Sequence, residues 1–333
     1  MSAMTKRERV QAALKGRPVD RVPVSAWGHD FLREWTAQGL AEATLESYRR
    51  FDWDFIKVNP RATYYAEAWG ARYRPSGRAD GEPELVEAAV RSAADLDDIG
   101  PIDWGSGPFG EQLEALRLID RGLAGEAPFV QTVFLPLAVM SRLTGSTRKV
   151  RELLTEHPHE VERALEGIAR TLAGYARACL EAGASGIFFA TVEWGSRGII
   201  SPAEYARFGR PYDLQVLAAV ADAPFNILHV CRAPNQLLWL LDYPVACFHW
   251  AAHETTNPGL GEVMARTGAA VAGGVDHEGA LRDGTPEEVA RQARGAIAET
   301  GGRRFLLAPA CSVAPMAPEA NLRALREAAE RLP

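Results

Sequence analysis

Apolar and polar positions alternate along this chain on two length scales. Short runs of apolar or β-branched residues occur at 22–27, 55–60, 129–134, 186–192, 225–231, 245–250, 270–275 and 304–310. Most are separated by longer stretches whose apolar residues recur at helical spacing. A short continuous apolar run reads as a strand buried on both faces. Strand–helix alternation implies parallel βα units, and eight units in a chain of 333 residues predict an α/β fold of the (β/α)8 barrel type. No glycine-rich phosphate fingerprint follows the first run, which argues against a doubly wound open sheet.

The helical stretches carry their own punctuation. A first helix is predicted over 5–15, ended by Gly16-Arg17-Pro18. Further helices are expected at 150–154, at 158–182 closed by Gly183, and at 318–331. Ser201-Pro202-Ala203-Glu204 and Thr285-Pro286-Glu287-Glu288 each pair an N-cap hydroxyl with proline at the first helical position. One segment breaks the rhythm. Residues 62–127 separate the second and third runs, far more than an ordinary connection needs. The expectation is an insertion near the barrel mouth within a single domain spanning 1–333, with a helix near 110–123 and with Tyr64, Tyr65 and Trp69 shielding the mouth.

Composition narrows the class. Hydrophobic residues make up 47% and charged residues 24%, enough to bury a large core in water. The net charge of −6 offers no basic footprint for nucleic acid. No apolar stretch reaches transmembrane length, and the polar start Met1-Ser2-Ala3-Met4-Thr5-Lys6 lacks a signal-peptide core. Four scattered cysteines make no disulfide framework. A cytoplasmic protein without nucleic-acid or membrane partners is expected, its thiols free for metal.

The candidate chemistry sits at the ends of the apolar runs, where barrel active sites lie. His229-Val230-Cys231 ends the fifth run and Cys311 follows the eighth. Residues i and i+2 of a strand share a face, so His229 and Cys231 aim together. One imidazole and two thiolates form a three-ligand zinc site with an open fourth position. His29, Asn59, Arg61, Glu193, His249, His253, Glu254, Asp276 and His277 lie at or after other run ends, and five of the seven histidines fall there. His29, Asp276 and His277 are assigned to proton handling or pocket shaping. Asn59, Arg61, Tyr64, Trp69 and Glu193 are assigned to substrate contact. Cys179 and Cys247 read as small buried hydrophobes.

The chain resembles the uroporphyrinogen decarboxylase superfamily over nearly its whole length. The resemblance rests on the opening from Thr5-Lys6-Arg7-Glu8-Arg9-Val10 through Arg17-Pro18-Val19-Asp20-Arg21-Val22-Pro23-Val24, and on Phe51-Asp52-Trp53-Asp54-Phe55-Ile56-Lys57. It continues in Gly273-Gly274-Val275-Asp276, Gly284-Thr285-Pro286-Glu287-Glu288-Val289 and Leu307-Ala308-Pro309-Ala310-Cys311. It implies the same barrel. The decarboxylase branch carries an arginine-rich segment after the first strand, an aspartate at the end of the second and a histidine after the last. This chain has Gly28-His29-Asp30-Phe31-Leu32-Arg33, Asn59 and Cys311 there. The other branch, corrinoid:thiol methyltransferases of the coenzyme M type, has a zinc motif of His-x-Cys followed by a cysteine about eighty residues later. His229, Cys231 and Cys311 match it.

That resemblance implies a zinc-dependent transfer of a methyl group between a corrinoid, or another activated donor, and a zinc-activated small-molecule thiol. A separate protein would supply the corrinoid. The branch's further acidic ligand falls near Ala251 or Ala252, leaving Glu254, His253 or His249 as candidate fourth ligands. Two alternatives stay open: a metal-independent decarboxylase of a porphyrinogen or smaller acid, and a non-catalytic binding protein on the same barrel.

Overall fold

A computed structural model describes residues 3–330. Seven parallel strands form one curled sheet: β1 (Ile56–Val58), β4 (Phe129–Phe134), β5 (Gly186–Ala190), β6 (Ile227–Val230), β7 (Cys247–Trp250), β8 (Ala270–Val275) and β9 (Phe305–Pro309). They hydrogen-bond in that order, each to the next. Two further strands, β2 (Arg72–Arg74) and β3 (Glu84–Glu87), form a separate antiparallel hairpin. Seven of the eight apolar runs therefore become sheet strands, shortened at their ends. The run at 22–27 makes only a parallel bridge, Val24 to Leu307. Its backbone nonetheless bonds on two sides: Ser25 N–H donates to Leu307 O, and Asp54 N–H donates to Val24 O. It thus lies between β9 and the approach to β1.

Helices cover the convex side, and their ends follow the sequence punctuation. Thr5 caps Lys6–Leu14 through a reciprocal bond with Glu8, and Ser201 caps Pro202–Phe208 in the same way with Glu204. Gly301, at φ 60°, closes Pro286–Thr300. The last helix is Glu319–Ala328; the expected end at Arg331 lies outside the described residues. The long helix Pro158–Glu181 buries an apolar face that includes Cys179.

Two packed layers result. Trp27, Phe55, Val130, Phe188, Phe225, Ile227, Cys247, Ala272, Leu306 and Ala308 fill the concave side of the sheet. A larger apolar layer fills the space between sheet and helices. Cys179 and Cys247 are both fully buried, and burial pushes both thiols well above their ordinary range. They are packing residues, as expected.

The 62–127 segment holds more structure than expected: a short helix Tyr64–Ala68, the β2–β3 hairpin, a 3-10 turn Ala93–Asp98 and the helix Gly107–Leu123. Much of it packs on the outer helices. Ile102 N–H donates to Thr171 of Pro158–Glu181, and Val90 N–H donates to Leu143 O of Pro136–Thr144. No helix among the described residues is long and apolar enough to cross a membrane.

Candidate metal centre

Strand β6 ends in His229-Val230, and Cys231 follows on the same face. The loop after β9 brings Cys311 to meet them. One ligand atom from each of His229, Cys231 and Cys311 lies within 4.8 Å of the other two. His229 Nε2 is 2.6 Å from Cys231 Sγ and 3.6 Å from Cys311 Sγ. The two thiols behave as one titrating pair. The hydrogen bond from Cys231 holds the Cys311 thiol well below its usual range, and the same bond, with burial, pushes Cys231 well above it. The pair thus favours a single shared proton, with thiolate character on Cys311.

Local backbone fixes this geometry. Thr191, just past β5, donates its N–H to His229 O and accepts the Cys231 N–H on Oγ1 at 3.0 Å. Gly195 is needed beside this clamp: a Cβ there would stand 2.3 Å from Thr191 Oγ1 and 2.8 Å from Cys231 O. Val192 and Arg232 flank the site at φ 50° and 69°. Such a conformation costs a β-branched valine on the order of 1–3 kcal/mol, held here by the Thr191 bonds.

The histidine is oriented by its neighbours. His249 on β7 stands opposite His229 on β6. The Pro309 carbonyl can only accept, so His249 Nε2–H donates to it at 2.8 Å. Burial holds His249 well below its ordinary pKa, so the ring is neutral and its Nδ1 is an acceptor. His229 Nδ1–H then donates to that nitrogen at 2.7 Å. This leaves the His229 Nε2 lone pair facing the two sulfurs, the tautomer a metal ligand needs. Phe188 stacks on His229 with centroids 5.1 Å apart, and Trp27 meets both Phe188 and His249 edge-on. His249, a candidate fourth ligand, is instead an orienting partner of His229.

The other candidates divide. His253 and Glu254 stay outside the three-residue group. His253 Nε2 lies 3.5 Å from Asp276 and 3.7 Å from Glu254. Asp276 and His277 sit after β8, and His277 is close enough for its charge to help lower the Cys311 thiol. Asp276 Oδ1 accepts the Glu278 N–H, and buried His277 Nδ1 has no partner. His29 donates to or accepts from Glu34 at 2.7 Å and stacks on Phe31. Glu193 accepts from Thr147 at 3.0 Å.

Three substrate candidates are already engaged. Arg61 grips both oxygens of Glu67 at 3.0–3.1 Å and Glu111 at 2.5 Å, under Trp35. Tyr64 and Tyr65 are fully buried, both hydroxyls donating to Thr132 O. Trp69 donates to Gly100 O. These aromatics form a cluster around Phe109 in the helix layer, and this is where they differ from the expected shield over the mouth.

One residue of the site escaped the sequence reading. Lys57 on β1 points into the sheet interior, with Nζ 5.0 Å from the Phe188 ring centre, on the ring that also stacks against His229. Its signal was present: Phe55, Lys57 and Asn59 share one strand face by period two.

The family model for uroporphyrinogen decarboxylase (URO-D) matches residues 5–332. The chain belongs to the uroporphyrinogen decarboxylase family. Curated members similar to it carry two kinds of name. The methylcobamide:CoM methyltransferase MtbA of Methanosarcina acetivorans is 22% identical, with 99% of each chain covered. The uroporphyrinogen decarboxylase of Syntrophotalea carbinolica is 27% identical, with 87% of this chain and 88% of its own length covered. Among solved structures, a methyltransferase from Methanosarcina mazei superposes with a TM-score of 0.80 at 23% identity over 98% of both chains, which establishes the shared fold.

Proposed function

We propose that this member of the family is a zinc-dependent methyltransferase that moves a methyl group from a corrinoid, or another activated donor, to a small-molecule thiol. The observation that carries this reading is the convergence of His229 Nε2, Cys231 Sγ and Cys311 Sγ within 4.8 Å. The donor set suits zinc: one neutral imidazole with a free lone pair and two thiols, one already inclined to ionise. No fourth His, Cys, Asp or Glu joins this group among the described residues, which leaves a position for substrate. Zinc bound there supplies a positive charge that keeps an incoming thiol ionised near neutral pH.

The chain's own residues would do the remaining work. His249 and Pro309 hold the His229 tautomer. Trp27 and Phe188 exclude water from behind the ligands. His277, near Cys311, and its neighbour Asp276 would take the proton the substrate thiol gives up. A separate corrinoid protein would deliver the methyl group; the names of the methylcobamide:CoM relatives support the cobamide as donor. The same reading takes residues 22–27 as the strand that closes a full (β/α)8 barrel, supported by the backbone bonds of Ser25 and Val24 to β9 and to Asp54, with 62–127 as an insertion in a single domain.

The test is metal content of protein purified without added metal, together with thiol-dependent demethylation of methylcobalamin followed by its absorbance. About one zinc per chain and demethylation that requires a thiol are expected. Absence of both would leave the second reading, a metal-independent decarboxylase, which has the Syntrophotalea relative behind it.

A further inference from the structure

A cavity of about 220 Å³ lies where the loops after β5, β6 and β7 meet, with Arg197, Asn235, Gln236, Trp239, Asn257 and Glu262 among its walls. None of His229, Cys231 and Cys311 lines it. The three loops are tied together by their own bonds. Ser196 and Asn235 form an antiparallel bridge. Arg197 N–H donates to Pro234 O at 2.9 Å, and Gln236 N–H donates to Gly195 O at 2.9 Å. Gln236 Nε2 donates to Trp194 O at 2.7 Å. Asn257 joins the third loop: its Oδ1 accepts the Asn235 N–H at 2.9 Å, and its Nδ2 donates to Arg232 O and Ala251 O, both at 3.1 Å. The cavity is thus formed before any ligand arrives, which lowers the cost of binding one.

Several side chains that reach it are, by contrast, unengaged. Asn235 is 4% exposed. Its Oδ1 accepts the Leu237 N–H at 3.2 Å, which fixes the amide, and its Nδ2 is left buried without a partner. A buried amide N–H without an acceptor is unfavourable. The exposed Arg197 side chain makes no ion pair among the described residues. The one carboxylate in the wall, Glu262, is already paired with Arg266 at 2.9 Å. Trp239 is 48% exposed, a broad indole face left in water at the edge of a polar cavity. What answers all three is an oxyanion carried on a flat ring. A guanidinium binds an oxyanion through parallel N–H bonds, an amide adds a directed donor, and an indole stacks a ring.

We propose that this cavity binds a small molecule in which an oxyanion is attached to a flat ring. Arg197 and Asn235 Nδ2 take the oxyanion, and Trp239 takes the ring. Asn257 ties the cavity wall to Arg232, the residue after Cys231, so the site neighbours the metal centre while sharing no ligand with it. The inference does not depend on zinc.

The experiment titrates the purified full-length protein with adenosine 5′-monophosphate and with benzoate. Adenosine and benzamide are the counterparts without charge, and inorganic phosphate is the counterpart without a ring. Calorimetry reads the binding. At least one of the two ring oxyanions is expected to bind saturably, with each of its counterparts weaker by about tenfold or more; the tighter of the two separates a phosphate ester from a carboxylate. Arg197→Gln and Trp239→Ala should each weaken that probe by about tenfold or more. Both side chains are exposed, so melting temperature should stay that of the parent. Asn235→Asp, which turns the buried donor into an acceptor, should also lose binding. Cys311→Ser should bind the probe within about twofold of the parent protein, which separates failure of this site from failure of the metal reading. The proposal is overturned if neither ring oxyanion binds, if adenosine or benzamide binds as tightly as its charged form, if inorganic phosphate binds as tightly as adenosine 5′-monophosphate, or if Arg197→Gln and Trp239→Ala retain full affinity.

Discussion

The two ends of the same parallel sheet bury charged and polar side chains in opposite ways. At the end where the strands begin, Asp54 accepts from Arg9 at 2.7 Å, from Arg21 at 2.5 and 2.9 Å and from the Val24 N–H at 2.9 Å. Arg9 also bonds both oxygens of Asp20, and Asp20 accepts the Met4 N–H. None of the side-chain nitrogens or oxygens of these four residues is orphaned. Where the strands end, Glu34 Oε1, Asn59 Nδ2 and His277 Nδ1 are buried without partners, and Lys57 has no carboxylate. The first network is closed upon itself. The second leaves three buried polar atoms without hydrogen-bond partners. Completeness of hydrogen bonding thus distinguishes the two ends, a distinction that burial alone would miss.

The sharpest way to break this comparison is to remove one residue from each end. Cys311→Ser should abolish stoichiometric zinc binding, measured by mass spectrometry of the metal, while the circular dichroism spectrum stays that of the parent. Losing one thiolate of three removes a charged ligand that a hydroxyl replaces poorly. Cys231→Ser should do the same, whereas Cys179→Ser and Cys247→Ser should keep full zinc. Retention of zinc in both ligand variants would mean the triad is packing. Asp54→Ala at the closed end should reverse the pattern. It takes the buried carboxylate from Arg21 and one of two carboxylates from Arg9, so unfolding free energy should fall by about 3–5 kcal/mol, with zinc content per folded chain unchanged. A urea midpoint within error of the parent would show that the closed network does not carry the stability assigned to it.

The closed and open ends were not equally legible from sequence. His229, Cys231 and Cys311 could be read because strand period two and the strand-end rule act on residue types that stand out. The caps at Ser201 and Thr285 were legible for the same reason: a few neighbouring residues decide them. What escaped depends on long-range packing. Arg61 and Glu111 are fifty residues apart, so nothing local marks Arg61 as engaged. Tyr64 and Tyr65 follow a strand end, as a lid would, yet Phe109 and Tyr175 draw them into the helix layer. The β2–β3 hairpin lacks the alternating apolar face that would betray a half-buried strand pair; its residues are mostly exposed. The 22–27 run shows the converse, an apolar pattern that makes one bridge instead of a regular strand.

A third buried group lies outside the sheet and is intermediate between the two ends. Asp213 accepts from Tyr205 at 2.6 Å and Tyr243 at 2.9 Å on Oδ2, while Oδ1 is buried without a partner. Burial pushes its carboxyl up to about 7, against the opposing effect of the two tyrosine bonds. The folded state therefore holds this proton more tightly than the unfolded chain, whose aspartate titrates near 4. The associated stability is present below about pH 4 and is lost as pH rises toward 7, by at most about 4 kcal/mol. Asp213→Asn cannot ionise, so it should flatten that decline in urea unfolding followed from pH 4 to pH 7. An unchanged slope would show that Asp213 is already ionised at low pH in the folded protein.

The smallest expected effect falls at the boundary between the two kinds of network, at His249. Its Nε2–H is satisfied by Pro309 O, as a closed network requires, but its Nδ1 serves the open site by holding His229. His249→Phe keeps a ring of similar size beside Trp27 and Phe188 while deleting both nitrogens. His229 then loses the acceptor that selects its tautomer, and Nε2 no longer faces the sulfurs as an obligatory lone pair. Loss of an orienting partner of this kind typically weakens metal affinity 10–100-fold, which is about 1.4–2.7 kcal/mol. The variant should therefore still fill with zinc at saturating metal yet yield it to a chelator at 10–100-fold lower chelator concentration than the parent. Competition against a graded series of chelators measures this directly. Equal resistance in the two proteins would mean that the thiols alone fix His229, and that His249 belongs with the closed network instead.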